Sequence, residues 1–177
     1  PWNLPIAMLA KKIPAALAAG CSIILKPSEL TPLSAFALCE LGLRAGVPRG
    51  VLSCITTSQP SPVVRALMDH PIVAKVSFTG STRAGVRVAQ NAAPSVKRVA
   101  QELGGKSANI ILDDADFEAA VTDGTASMFV NTGQSCDAPS RMLVPKDKMD
   151  EAAAVPARGA AGPAVGEPRE TGPRGRP

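Results

Sequence analysis

Three short apolar runs constrain this chain most: "SIILK", "GVLSCIT" and "VAKVSFTG". Each is rich in branched residues, and helical stretches lie between them with only short connections. A strand followed by a helix and another strand cannot fold back as a hairpin. It must cross over, so neighbouring strands run parallel. The pattern predicts a doubly wound α/β parallel sheet with helices covering both faces, and such sheets bind ligands beyond the carboxyl ends of their strands.

The punctuation supports the same reading. "LPIAMLAKKIPAALAAG" reads as a helix stopped by Gly20. "TPLSAFALCELGLRAG" predicts a helix with Thr31 as N-cap, Pro32 at its first position and Gly46 as its end. "SPVVRALMDH" and "STRAGVRVAQNAA" are further helices, and "KRVAQEL", "SANIILD" and "RMLVP" further strands. "DFEAAVTDGTASMFVNTG" is a helix with Asp114 or Asp116 near its positive end. From about residue 151 the chain turns to Pro, Gly, Ala and Arg without periodicity, as a disordered or frame-disturbed tail would. We therefore expect three regions: residues 1–135 as a cofactor-binding segment, 136–150 opening a catalytic domain, and 151–177 as the tail.

Composition excludes several classes. With 3% aromatics and a net charge of +4 there is no basic aromatic platform for nucleic acid. The longest apolar stretch, residues 13–24, is broken by Pro14, Gly20 and Ser22, so no membrane partner is expected. Cys21, Cys39, Cys54 and Cys136 show no paired spacing, and there is one histidine, so no metal site is expected. Scattered thiols point to a reducing cytoplasm. The chain opens at Pro1 in what reads as mid-domain sequence, as a fragment would.

Four motifs could carry chemistry. "FTGSTRAG" places Gly80 and Ser81 between a strand and a helix, where a phosphate would meet free N–H groups, although a plain turn fits as well. "KPSE" sets Lys26 and Glu29 at a strand end, suited to ribose hydroxyls or simply to solvent. "QELGGKS" puts Glu102 before a Gly104-Gly105 turn, and desolvation there would raise its pKa toward that of a base acting on water. In "NTGQSC", Cys136 is either a small buried hydrophobe or a nucleophile, and its type alone does not decide.

Taken together, "PWNLP", "AALAAGCSIILKPSELTPLSAFAL", "AGVPRGVL", "VSFTGSTRAG", "KRVAQELGGKSANIILDDAD" and "FVNTGQSC" resemble the NAD(P)-dependent aldehyde dehydrogenase superfamily over about residues 1–145. The resemblance implies a Rossmann-like variant of the parallel sheet. It implies Cys136 as the nucleophile toward an aldehyde, with Asn3 and the Cys136 N–H holding the oxyanion. Hydride transfer to nicotinamide and hydrolysis by water activated at Glu102 follow, with Lys12 assisting a proton relay. Lys26 and Glu29 would contact the adenosine ribose, and Gly80, Ser81 and Gly104 would border the cofactor. A glutamate at 29 repels a 2′-phosphate, so NAD is expected rather than NADP. The substrate would be a small aldehyde released as a free acid, and the parent enzyme a dimer or tetramer.

Departures accompany the resemblance. Ser58, Pro60 and Val64 stand where the family shows glycines, and a left-handed backbone there would strain them. The family's later E-x-F-G-P motif does not occur. A catalytically silent remnant that at most binds nucleotide is thus the alternative. A cysteine hydrolase would need a histidine partner, and His70 lies in a "DHP" turn better suited to capping a loop.

Overall fold

The structure is a computed structural model that describes residues 1–158. The chain divides into two compact units, Pro1–Leu103 and a second that begins at Gly104.

The first unit runs α1 (Pro5–Ala18), β1 (Ile23–Leu25), α2 (Leu33–Arg44), β2 (Leu52–Cys54), α3 (Pro60–Asp69), β3 (Lys75–Gly80), α4 (Thr82–Ala92) and β4 (Arg98–Leu103). Strand β1 pairs in parallel with β2, Ile23 opposite Leu52 and Leu25 opposite Cys54. Strand β3 pairs in parallel with β4, Lys75 opposite Arg98 and Gly80 opposite Leu103. Helix α2 packs on β2, and α4 on both β3 and β4. Met8, Leu25, Ala35, Met68, Val88 and Ala92 are its buried apolar residues.

The second unit contains β5 (Ala108–Ile110), α5 (Phe117–Met128), β6 (Arg141–Leu143) and α6 (Met149–Arg158). Strands β5 and β6 are parallel, with Ala108 opposite Arg141. Ile111, Phe117, Val121 and Val155 form the core, with Met142 and Val144 against it.

Parallel pairing is borne out, and its form differs in two respects. The strands make three separate two-stranded sheets among the described residues. Burial alternates along β4, β5 and β6, so one face of each is covered and the other is open. Ile110 and Leu143 lie on the open face, 62% and 53% exposed.

Two local expectations are corrected. Pro32 itself is the N-cap of α2, which makes no side-chain cap hydrogen bond, and the Thr31 hydroxyl is buried without a partner. The proline ring has no N–H to offer, and its φ of −76° already suits the helix entry. Residues 151–158, expected in the disordered tail, form most of α6. Acidic Asp150 and Glu151 occupy its first turn, and Val155 is buried in the core. An apolar contact with α5 supplies the order that composition lacks. Residues 159–177 of that tail lie outside the described residues.

Candidate active site

Three motifs fall at the carboxyl ends of strands in the first unit. Lys26 directly follows β1, Gly80 closes β3 with Ser81 next, and Glu102 is the penultimate residue of β4. The register sets Thr79 opposite Glu102.

Lys26 and Glu29 form a turn with its own internal charge pair. Lys26 Nζ donates to Glu29 Oε1 at 2.8 Å and to the Pro27 carbonyl at 2.7 Å. The hydrogen bond from Lys26 holds the Glu29 carboxyl below the usual range, its own backbone N–H adds to this, and partial burial opposes it.

Lys12 lies on α1, half-buried. Burial lowers its pKa, and the Glu102 carboxylate works against that shift. The first unit therefore places two of the candidate residues within electrostatic reach of each other. Pro1, ahead of α1, is partly buried. Asn3 lies two residues on, partly buried and engaged in contacts of its own. Glu102 is exposed at its place in β4.

The glycine spacing of "FTGSTRAG" has a packing explanation. A Cβ on Gly85 would lie 2.6 Å from Leu103 Cδ2, so a larger residue here would push the Leu103 side chain aside where α4 packs on β4. Gln101 Nε2 donates to the Gly85 carbonyl at 2.6 Å and locks the same contact. Ser81 caps α4 by accepting from the Ala84 N–H at 3.3 Å. The next N–H groups of the first turn have no intrahelical acceptor and suit an anion. Thr79 Oγ1, buried and without a partner, adds an orphaned hydroxyl at the same strand end. Nothing in the motif set Thr79 apart from Ser77, the other hydroxyl of β3.

Cys136 belongs to the second unit and is partly buried with a free thiol. The loop before it is unusual in its backbone. Asn131 (φ 54°), Thr132 (φ 55°) and Gly133 (φ 72°) are successive left-handed residues. This is strained for Thr132, whose branched Cβ disfavours the region. Asn131 Nδ2 donates to the Gln134 carbonyl at 3.1 Å and closes the turn. Beyond the thiol, Ser107 N–H donates to the Ala138 carbonyl at 3.2 Å and Arg141 N–H to the Ser107 carbonyl at 3.3 Å. Gly105 runs alongside, where a Cβ would lie 3.5 Å from the Cys136 carbonyl oxygen, while Gly104 has open space around it.

No residue of "TTSQPSPVV" has a positive φ, and Pro60 sits in the first turn of α3, so the missing glycines cause no backbone strain. His70 accepts from the Ile72 N–H at 3.3 Å, capping its turn as expected. Among the described residues, no group of metal-binding side chains occurs and no helix is long and apolar enough to cross a membrane.

Comparison with known proteins decides the family. The sequence profile of the Aldehyde dehydrogenase family matches residues 1–174. The chain belongs to the aldehyde dehydrogenase family. This family match takes in the Pro/Gly/Arg-rich tail as well. A 3-succinoylsemialdehyde-pyridine dehydrogenase from Pseudomonas sp is 58% identical over 151 residues, covering 85% of this chain and 31% of the relative. An NADP(+) succinate-semialdehyde dehydrogenase from Escherichia coli (strain K12) is 47% identical over 144 residues, covering 81% of this chain and 30% of the relative. Among solved structures, an aldehyde dehydrogenase from Pseudomonas syringae in complex with NAD+ and octanal superposes with a TM-score of 0.88 at 49% identity. That match covers 96% of this chain and 35% of the other. The chain thus spans about a third of the length of the dehydrogenases it matches. Relatives named for NAD and for NADP both occur in the family.

Proposed function

We propose that this chain carries the cofactor-binding segment and nucleophile loop of an enzyme that oxidises an aldehyde to a carboxylic acid with NAD. The supporting observation is the placement of Lys26, Gly80, Ser81 and Glu102 at the carboxyl ends of parallel strands, where this fold class binds ligands. Lys26 and Glu29 would hold the adenosine ribose. The α4 N-terminus with Gly80, Ser81 and Thr79 would hold the pyrophosphate, with Gly104 at the border. NAD, when bound, supplies the hydride acceptor. The Glu29 carboxylate is already ionised and paired, and it would repel a 2′-phosphate.

In this reading the Cys136 thiolate adds to the aldehyde carbonyl carbon and forms a thiohemiacetal. The oxyanion takes hydrogen bonds from the Asn3 side-chain amide and the Cys136 N–H, each contributing on the order of 3 kcal/mol to lowering the barrier. Loss of hydride leaves a thioester on Cys136. Glu102 takes a proton from water, which attacks the thioester, and Cys136 leaves as thiolate. Lys12, with its ammonium disfavoured by burial, would relay the proton. Four free thiols fit a reducing cytoplasm. The alternative reading is a nucleotide-binding remnant without chemistry.

One experiment separates them. The chain is mixed with NAD+ and succinate semialdehyde, the aldehyde for which several relatives are named. NADH formation with an acyl adduct on the tryptic peptide carrying Cys136 supports the enzyme. NAD binding by calorimetry without NADH or adduct supports the remnant.

A further inference from the structure

Cys39 and Cys54 play no part in the chemistry above, yet the fold sets them against each other. Helix α2 packs on β2 at Gly42, where an added Cβ would lie 3.0 Å from Leu52 Cδ2. Cys39 precedes Gly42 by three residues and so lies on the same face of α2, one turn toward its N-terminus. Cys54 follows Leu52 by two residues and so points to the same side of β2. In a strand–helix–strand crossover the helix runs against the strand, so these steps go the same way. One contact at Gly42 and Leu52 therefore carries the next, Cys39 over Cys54.

The ionisation of the two thiols reports the same proximity. Burial pushes both upward, and after burial each thiol's ionisation is shifted by the other. Both are partly exposed, free and within reach of a small oxidant.

We propose that Cys39 and Cys54 are an oxidisable dithiol, a modification site that a peroxide converts to an intramolecular disulfide joining α2 to the end of β2. One thiol gives up its proton, and its sulfur attacks a peroxide oxygen and breaks the O–O bond; sulfur keeps one oxygen as a sulfenic acid, and the released hydroxide takes up the proton as water. The partner thiol attacks that sulfur and forms the S–S bond, and the sulfenic oxygen departs as a second water. Two thiols lose two electrons and hydrogen peroxide gains them. The bond would form beside Leu25, the register partner of Cys54, whose next residue is Lys26. It would brace the strand end that carries the Lys26–Glu29 turn.

The test uses the full chain and needs no aldehyde. The reduced chain is treated with hydrogen peroxide, its remaining thiols are alkylated under denaturing conditions, and it is digested with trypsin without reductant. Cys39 and Cys21 share the peptide 13–44, because Lys26 precedes a proline and resists cleavage, and Cys54 lies in peptide 50–65. We expect these two peptides to be linked, two hydrogens lighter than their sum. The link should persist in Cys21→Ser and disappear in Cys54→Ser. A link lost in Cys21→Ser, or Cys39 and Cys54 both recovered alkylated while Cys136 is oxidised, would overturn the proposal. The unsubstituted chain gives the primary result, so a folding defect in a variant does not change its meaning.

Discussion

The turn at Lys26–Glu29 and the loop at Asn131–Cys136 are both candidate contributors to one reaction, yet they are held by opposite means. The first is fixed by side chains: an ammonium, a carboxylate and a carbonyl satisfy one another in ordinary backbone conformations. The second is fixed by backbone: three left-handed residues precede the thiol, and the Ser107–Ala138 and Arg141–Ser107 hydrogen bonds follow it. A side-chain turn is tuned by changing chemical identity. A backbone loop is tuned by changing what conformation is allowed. Strain of this sort persists only where the surrounding structure over-determines it.

Several substitutions sharpen or break that contrast. The largest effect belongs to Cys136→Ala, which should lower aldehyde oxidation more than about a thousandfold while NAD binding by calorimetry stays unchanged. Retained turnover would remove the thiol from the chemistry. Next, Val121→Ala hollows the core behind the loop, where Val121 is fully buried, and should lower unfolding free energy by about 2 kcal/mol in urea melts. Gly133→Ala, at φ 72°, should cost about 1 kcal/mol by the same measurement and raise the alkylation rate of Cys136 as the loop loosens. A neutral outcome would mean the loop is not conformationally fixed.

Charge substitutions act on the other side of the comparison and are smaller. The folded pKa of Lys12 lies below its unfolded value, so the folded state binds fewer protons and stability rises as pH climbs toward the ordinary lysine range. Lys12→Met should flatten that alkaline rise and raise the thermal midpoint near neutrality while slowing turnover. For Glu29 the folded pKa is again depressed, so its stabilisation is present above the unfolded carboxylate pKa and is lost as pH falls through the folded one. The pair is partly solvated, so Glu29→Gln should change stability by no more than about 0.5 kcal/mol. Its measurable effect should be cofactor choice, with NADP tolerated better relative to NAD.

Much of the fold was legible in the residues. Branched runs marked β1, β2 and β3, Gly20 and Gly46 marked helix ends with φ of 72° and 92°, and Asp116 caps α5 by accepting from the Ala119 N–H at 3.2 Å. What escaped depends on tertiary context. Helix α6 reads as a biased segment until Val155 meets Phe117 and Val121. The left-handed Asn131 and Thr132 are invisible to propensity, since a branched residue is the last to be expected there. The exposure of Glu102 is likewise unreadable, because desolvation depends on what packs nearby rather than on the motif.

The sheet connectivity has a consequence for how the chain is made. The strands pair two by two in sequence order, β1 with β2, β3 with β4 and β5 with β6, each pair across one helical crossover. Every registered pairing therefore closes within roughly thirty residues, the span of a single βαβ module. Short loop closures are fast and form before distant segments are available. During synthesis, then, each module can set its register as soon as it clears the ribosome, and an error in one leaves the register of its neighbours untouched.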